Sequence, residues 1–221
     1  MIPDELERLE QTAMSMVVQA LTDYRQQAVT IFREETDSPQ DIAEDVTREA
    51  LEMMGVSGWN ERLYGKVDYK KAVYIFLPTT YPAALMLDSK AEKPNGDRTA
   101  TIQMSQTSMR VKMLRSGSEV DEPGGLEPVI TRGGRSLYVV TIIAKYVYEE
   151  ITDGQELRRL IVSCIPNGLL QQRYNPDSNN GIWLAGRNAP SRGEDFRVRL
   201  SYRLLSKQAP WRVQEIELLK E

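Results

Sequence analysis

Apolar residues recur at three- and four-residue spacing through the first quarter of the chain, and the period shortens to two beyond it. Leu6, Leu9, Ala13, Val17, Ala20, Tyr24, Ala28 and Ile31 trace one face of a helix. They predict a single long amphipathic helix over 4–34, with Pro3 in its first turn. A second helix is predicted over 39–54. Ser38 is a suitable N-cap, Pro39 fits the first helical position, Asp41 lies in the first turn, and Gly55 is a natural stop. Ile42, Val46 and Ala50 form its apolar side. Short runs at Tyr64–Lys70, Ala72–Leu77 and Ala83–Lys90, separated by turn residues and prolines, predict strands of a small meander. Residues 99–115 fit a helix or a strand, and the glycine-rich 116–135 reads as irregular. Ser136–Glu149 and Leu157–Ile165 predict long strands around a hairpin at Thr152-Asp153-Gly154-Gln155. A polar loop follows over 173–195, then an alternating strand at Phe196–Leu204 and another over 211–219. This order predicts one α/β (α+β) domain over 1–221, a central mixed β-sheet flanked by helices.

Composition narrows the chemistry. The 221 residues are 41% hydrophobic and 27% charged, enough for one sizeable core. The absence of histidine removes Ser-His-Asp and Cys-His catalysis and histidine-ligated metal sites. The single cysteine, Cys164, excludes an internal disulfide or a thiolate zinc site, and its apolar run makes it a core residue. Chemistry must therefore run on carboxylates, lysine, hydroxyls and a hard cation such as Mg²⁺ or Mn²⁺. No apolar run approaches the roughly 20 residues that span a bilayer, and Asp4, Glu5 and Glu7 make the N-terminus unlike a targeting peptide. A cytoplasmic protein without a membrane span is expected. The net charge of −4 is unevenly spread: residues 1–62 hold 14 acidic and 5 basic side chains, residues 158–212 hold 10 basic and 3 acidic. The basic third is a candidate surface for a polyanion, with a solvated arginine-rich surface as the alternative.

Ala83-Ala84-Leu85-Met86-Leu87 has the character of a strand buried on both faces, and it ends in Asp88-Ser89-Lys90. Alternation puts Asp88 and Lys90 on one face. Asp68, on an upstream strand of the meander, is separated by enough chain to come alongside. Two aspartates holding Mg²⁺ beside a lysine suit phosphodiester hydrolysis, where a cation clamps the developing charge and a lysine orients the attacking water. On pattern alone a simple ion pair at a surface strand end explains the triplet better, and Asp68-Tyr69-Lys70 repeats it. Downstream, Arg197, Arg199 and Arg203 share the polar face of the predicted strand, with Arg187, Asn188 and Arg192 in the loop before it. Arginine and asparagine can pair with guanine and adenine edges in a DNA major groove, and Tyr174 and Trp183 could flank the backbone.

Longer segments carry a resemblance. Leu6-Glu7-Arg8-Leu9-Glu10, Val18-Gln19-Ala20-Leu21, Ala43-Glu44-Asp45, Val67-Asp68-Tyr69-Lys70, Leu87-Asp88-Ser89-Lys90-Ala91, Gln171 to Asp177, Ala185-Gly186-Arg187, Ser191 to Glu194, Arg197-Val198-Arg199 and Pro210 to Glu215 occur in one order. Over about 5–217 the chain resembles the SfiI-type restriction endonucleases of the PD-(D/E)XK nuclease superfamily. The resemblance implies that nuclease fold and Mg²⁺-dependent cleavage of both strands of double-stranded DNA at an interrupted, GC-containing palindrome. It implies that Asp68, Asp88 and Lys90 are catalytic, with Asp68 and Asp88 as metal ligands. Glu44 would support the metal or the lysine, with a solvated helix face as the alternative. Arg187, Arg197 and Arg199 would read bases. Val67 stands where the class name has proline, and Arg187 and Asn188 stand where the family has lysine and histidine. A homodimer on a two-fold site is the implied minimum and a tetramer the larger form. The competing readings are a structure-selective or repair nuclease of the same fold, a non-catalytic DNA-binding protein, and, with least support, a carbohydrate hydrolase.

Overall fold

The computed structural model describes residues 1–54, 59–63, 72–76, 81–94, 98–152, 154–185 and 197–218. The predicted long N-terminal helix is two helices, α1 (Pro3–Asp23) and α2 (Arg25–Glu34). The break is at Tyr24, with φ −93° and ψ 0°. There the Arg25 guanidinium donates to the Thr22 carbonyl. The Tyr24 hydroxyl donates across to Glu49 at 2.5 Å. The side-chain periodicity runs unbroken through this point because a one-residue kink hardly changes which residues face inward. Helix α3 (Pro39–Met53) starts where its capping residues predict: the Ser38 side chain accepts the Asp41 N–H.

All three helices lie against a mixed sheet. Among the described residues it has seven strands, in the order β1 (Trp59–Leu63), β2 (Ala72–Phe76), β3 (Ala83–Glu92), β8 (Arg135–Ile151), β9 (Gly154–Ile165) and β12 (Val213–Ile216), with β7 (Val129–Arg132) on β8. β3 and β8 are parallel and the other pairs antiparallel. β3, β8 and β9 are almost wholly apolar at their centres because both faces are covered, as parallel pairing requires. Leu6, Leu9, Ala13 and Val17 of α1 and Phe32 of α2 complete the core, and Cys164 is buried within it.

The region read as irregular, 116–135, is instead mostly two hairpins. β5 (Val111–Arg115) pairs with β6 (Ser118–Glu122) through Ser116-Gly117, both at positive φ (50° and 82°). β7 enters β8 through Gly133-Gly134, at 54° and 75°. Two successive positive-φ residues match the twist of the flanking strands, so the glycines mark turns rather than disorder. Phe196–Leu204 is also divided: β11 (Arg197–Ser201) ends at Ser201, whose hydroxyl accepts the Leu204 N–H and caps helix α4 (Tyr202–Gln208). β11 lies between β10 (Trp183–Ala185) and β4 (Thr99–Gln103) in a separate three-stranded sheet. The chain closes through a tight turn at Pro210–Arg212 into β12, shorter than the predicted 211–219.

A buried ion pair fastens that closing turn to α1. Arg212 Nη2 lies 2.5 Å from Glu10 Oε2, and both side chains are fully buried. The other Glu10 oxygen accepts the Asn167 N–H at 2.7 Å. The Arg212 guanidinium stacks between Tyr174 and Trp211, 4.4 and 4.3 Å from the ring centroids. Removing one partner leaves a buried charge unpaired. Arg212→Met is therefore expected to destabilise the fold by about 3–5 kcal/mol in urea denaturation, and Glu10→Leu in the same molecule to recover part of that loss.

Candidate active site

Among the described residues, β3 has a paired strand on one side only from the position where its sequence turns polar. Pairing with β2 ends at Ala72↔Leu87, whereas pairing with β8 continues to Glu92↔Val147. From Asp88 onward one edge of β3 has no strand beside it among the described residues. A side chain of α3 bonds to the main chain there. Gln40 Nε2 donates to the Ser89 carbonyl at 2.8 Å, and Gln40 Oε1 accepts the Ala91 N–H at 3.1 Å. The same Nε2 donates to Glu44 Oε1 at 2.8 Å, one helical turn on. Glu44 is thereby tied to the strand that carries Asp88 and Lys90. Its neighbour Asp45 is committed elsewhere, paired with Arg48 at 2.6 Å on the surface.

The two faces of β3 have separate functions here. Ser89 points toward the helices, where its hydroxyl donates to Thr47 Oγ1 at 2.7 Å. Thr47 Oγ1 also lies 2.8 Å from the Tyr146 hydroxyl of β8. Burial pushes the Tyr146 phenol well above its usual range, so it stays neutral in this chain of hydroxyls. These contacts fix α3 against the strand. Asp88 and Lys90 occupy the opposite face, as alternation requires. Lys90 Nζ lies 2.8 Å from Asp88 Oδ2, the side chains only 19% and 11% exposed. Oδ2 is close enough for an ion pair, yet no donor meets it in hydrogen-bond geometry among the described residues. A nearly buried carboxylate oxygen without a hydrogen bond is suited to a hard cation. No group of three metal-ligating side chains occurs among the described residues. Asp68 and Lys70, the other members of the predicted centre, lie outside them. Cys164 does not compete as a nucleophile: burial pushes its thiol far above the usual range, away from the reactive thiolate.

The arginine face is smaller than predicted. In β11, Val198 and Leu200 are buried, Arg199 is exposed and Arg197 half-buried. The pairing Arg197↔Gln103 and Arg199↔Thr101 sets both arginines beside polar residues of β4 on the outward side of the small sheet. Arg203 leaves this face, because Ser201 starts a helix before it. Tyr174 and Trp183 are buried and cannot flank a bound backbone; the Tyr174 hydroxyl donates to Glu7. Arg187, Asn188 and Arg192 lie outside the described residues. The basic third is also partly neutralised within the fold. Arg158 pairs with Glu149 and Glu156, Arg159 with Glu215, Arg173 with Asp4 and Glu7, and Arg212 with Glu10. Gln40 is the member of this arrangement that pattern reading missed; one polar side chain on an amphipathic helix carries no sequence signal.

Comparison with known proteins agrees with this geometry. A family model described as "Type II restriction enzyme SfiI" matches residues 5–216. The type II restriction enzyme SfiI of Streptomyces fimbriatus is 33% identical over 230 residues, covering 96% of this chain and 84% of that protein. The crystal structure of tetrameric SfiI bound to cognate DNA superposes with a TM-score of 0.84 at 32% identity, over 97% of this chain and 85% of that one. The restriction endonuclease BglI bound to its DNA recognition sequence gives a TM-score of 0.78 at 17% identity, over 99% and 92%, a likeness of fold.

Proposed function

Since the chain belongs to the SfiI family of type II restriction enzymes, we propose that it cuts both strands of double-stranded DNA, with Mg²⁺, at an interrupted GC-containing palindrome. The observation that carries this reading is the Asp88–Lys90 pair at the partly covered end of β3, with a carboxylate oxygen that has no hydrogen bond among the described residues. Asp88 and Asp68 would hold the Mg²⁺, which supplies charge neutralisation at the phosphate and an acidified water. Lys90, held beside Asp88, orients the attacking water and stabilises the charge that develops on the phosphate oxygens. Glu44, anchored through Gln40 to the main chain that brackets Lys90, supports the metal-binding end of the site. Arg197 and Arg199 on β11, with Arg187, Asn188 and Arg192 of the preceding loop, read and hold the DNA. A palindrome needs two equivalent centres, so the working unit is a homodimer, and by likeness to tetrameric SfiI a tetramer. No helix among the described residues is long and apolar enough to cross a membrane, and we place the enzyme in the cytoplasm with its DNA.

Asp88→Ala and Lys90→Ala are each expected to lower the cleavage rate by several kcal/mol of transition-state stabilisation while leaving DNA affinity in Ca²⁺ largely intact. Near-normal cutting by either would show that the centre is elsewhere. In the same assay Glu44→Gln is expected to shift the Mg²⁺ dependence upward, and an unchanged curve removes Glu44 from the site.

For base reading by Arg197 and Arg199, each alanine variant is expected to lose roughly 1–3 kcal/mol of binding on cognate DNA and much less on random DNA. Titration on both DNAs in Ca²⁺ at several salt concentrations checks this. Equal losses on both, with a shallower salt dependence, would mean phosphate contact instead.

A further inference from the structure

Lys145 stands at the centre of β8 with its side chain fully buried. It is the register partner of Lys90. It therefore shares the face of the sheet that carries Asp88 and Lys90. Its ammonium lies 2.8 Å from Glu92 Oε2 and 2.6 Å from the Thr99 carbonyl. It also approaches the Tyr202 ring, 5.9 Å from the centroid. These partners belong to different parts of the molecule. Glu92 is the last residue of β3, two beyond Lys90. Thr99 is the first residue of β4 and pairs with Ser201 at the end of β11. Tyr202 begins the helix that follows β11, and its N–H donates to the Arg98 carbonyl at 3.2 Å. One ammonium thus grips both ends of the connection from the catalytic strand to the arginine-bearing sheet.

An apolar side chain of similar length would fill this space without the desolvation cost of a buried charge. What lysine adds is directed bonds to two separate segments, the end of β3 and the start of β4. The held end of β4 is two register positions from Arg199 and four from Arg197. Phosphoryl chemistry depends steeply on placement, and a misplacement of about 1 Å can cost on the order of a hundredfold in rate. We propose that Lys145 is a positioning residue that holds the recognition sheet in one register against β3, so that base contacts at Arg197 and Arg199 set the phosphate at Asp88 and Lys90. The brace rests on the site-specific nuclease reading given above.

The test compares wild type, Lys145→Met and Glu92→Gln on two duplexes: the site mapped from plasmid cleavage and the same site with one base pair changed. Single-turnover cleavage in Mg²⁺ and equilibrium binding in Ca²⁺ are measured on both. Lys145→Met is expected to lower the ratio of cognate to altered-site cleavage rates roughly tenfold while the ratio of affinities changes by less than about twofold. Glu92→Gln, which keeps an acceptor but removes the charge, is expected to give a smaller fall in the same direction. It decides the question if Lys145→Met does not fold. A folded variant whose rate ratio matches wild type, or falls only as far as its affinity ratio, makes Lys145 a packing residue and overturns the proposal. Equal cutting of both duplexes by wild type would instead overturn the site-specific reading, and the brace with it.

Discussion

The site depends on placing two opposite charges at the end of a strand that is otherwise buried on both faces. β3 is covered from Ala83 to Ser89 and only partly covered from Lys90 to Glu92. A lone charge here would have nothing to compensate its desolvation. Each offsets the desolvation of the other at 2.8 Å. Among the described residues β2 pairs with β3 only as far as Leu87, and Gln40 supplies hydrogen bonds to the main chain beyond it. Burial gives the strand rigidity, and the α3 amide ties its polar end to the helices.

The same economy appears in the charge distribution. The arginine-rich third suggested a broad surface for a polyanion, yet Arg158, Arg159, Arg173 and Arg212 are occupied with Glu149, Glu156, Glu215, Asp4, Glu7 and Glu10. Three acids near the N-terminus, Asp4, Glu7 and Glu10, are thus internal counterparts of two arginines near the C-terminus, Arg173 and Arg212. Arg197 and Arg199 differ because they stand on an edge sheet whose inner face is held by Val198, Leu200 and Ile102. A rigid apolar underside lets two long side chains face outward at a fixed spacing.

Local chemistry made part of this visible in sequence. The caps of α3 and the apolar run before Asp88-Ser89-Lys90 are short-range signals, and both elements form where they predict. The kink at Tyr24 escaped because helical periodicity survives a one-residue interruption. Arg203 was assigned to β11 because apolar alternation continues past Ser201, although Ser201 is itself an N-cap. The β5–β6 hairpin was hidden because Ser116 supplies a positive φ more often left to glycine or asparagine. Lys145 carries a signal in sequence: it is the one charge between Ile142-Ile143-Ala144 and Tyr146-Val147, and a charge at the centre of a buried run needs a partner. Gln40 required the third dimension, since nothing local links residue 40 to residues 89 and 91.

The central claim is that a carboxylate–lysine centre on β3 and an arginine-bearing edge sheet together make a metal-dependent, site-specific DNA nuclease. The most direct test is digestion of a sequenced plasmid by the purified protein with Mg²⁺ and with chelator, followed by sequencing of the fragment ends. The account predicts discrete double-strand breaks at one two-fold-symmetric sequence with Mg²⁺ and intact plasmid with chelator. Ends scattered without sequence preference, breaks that persist in chelator, or no cleavage under any metal condition would contradict it.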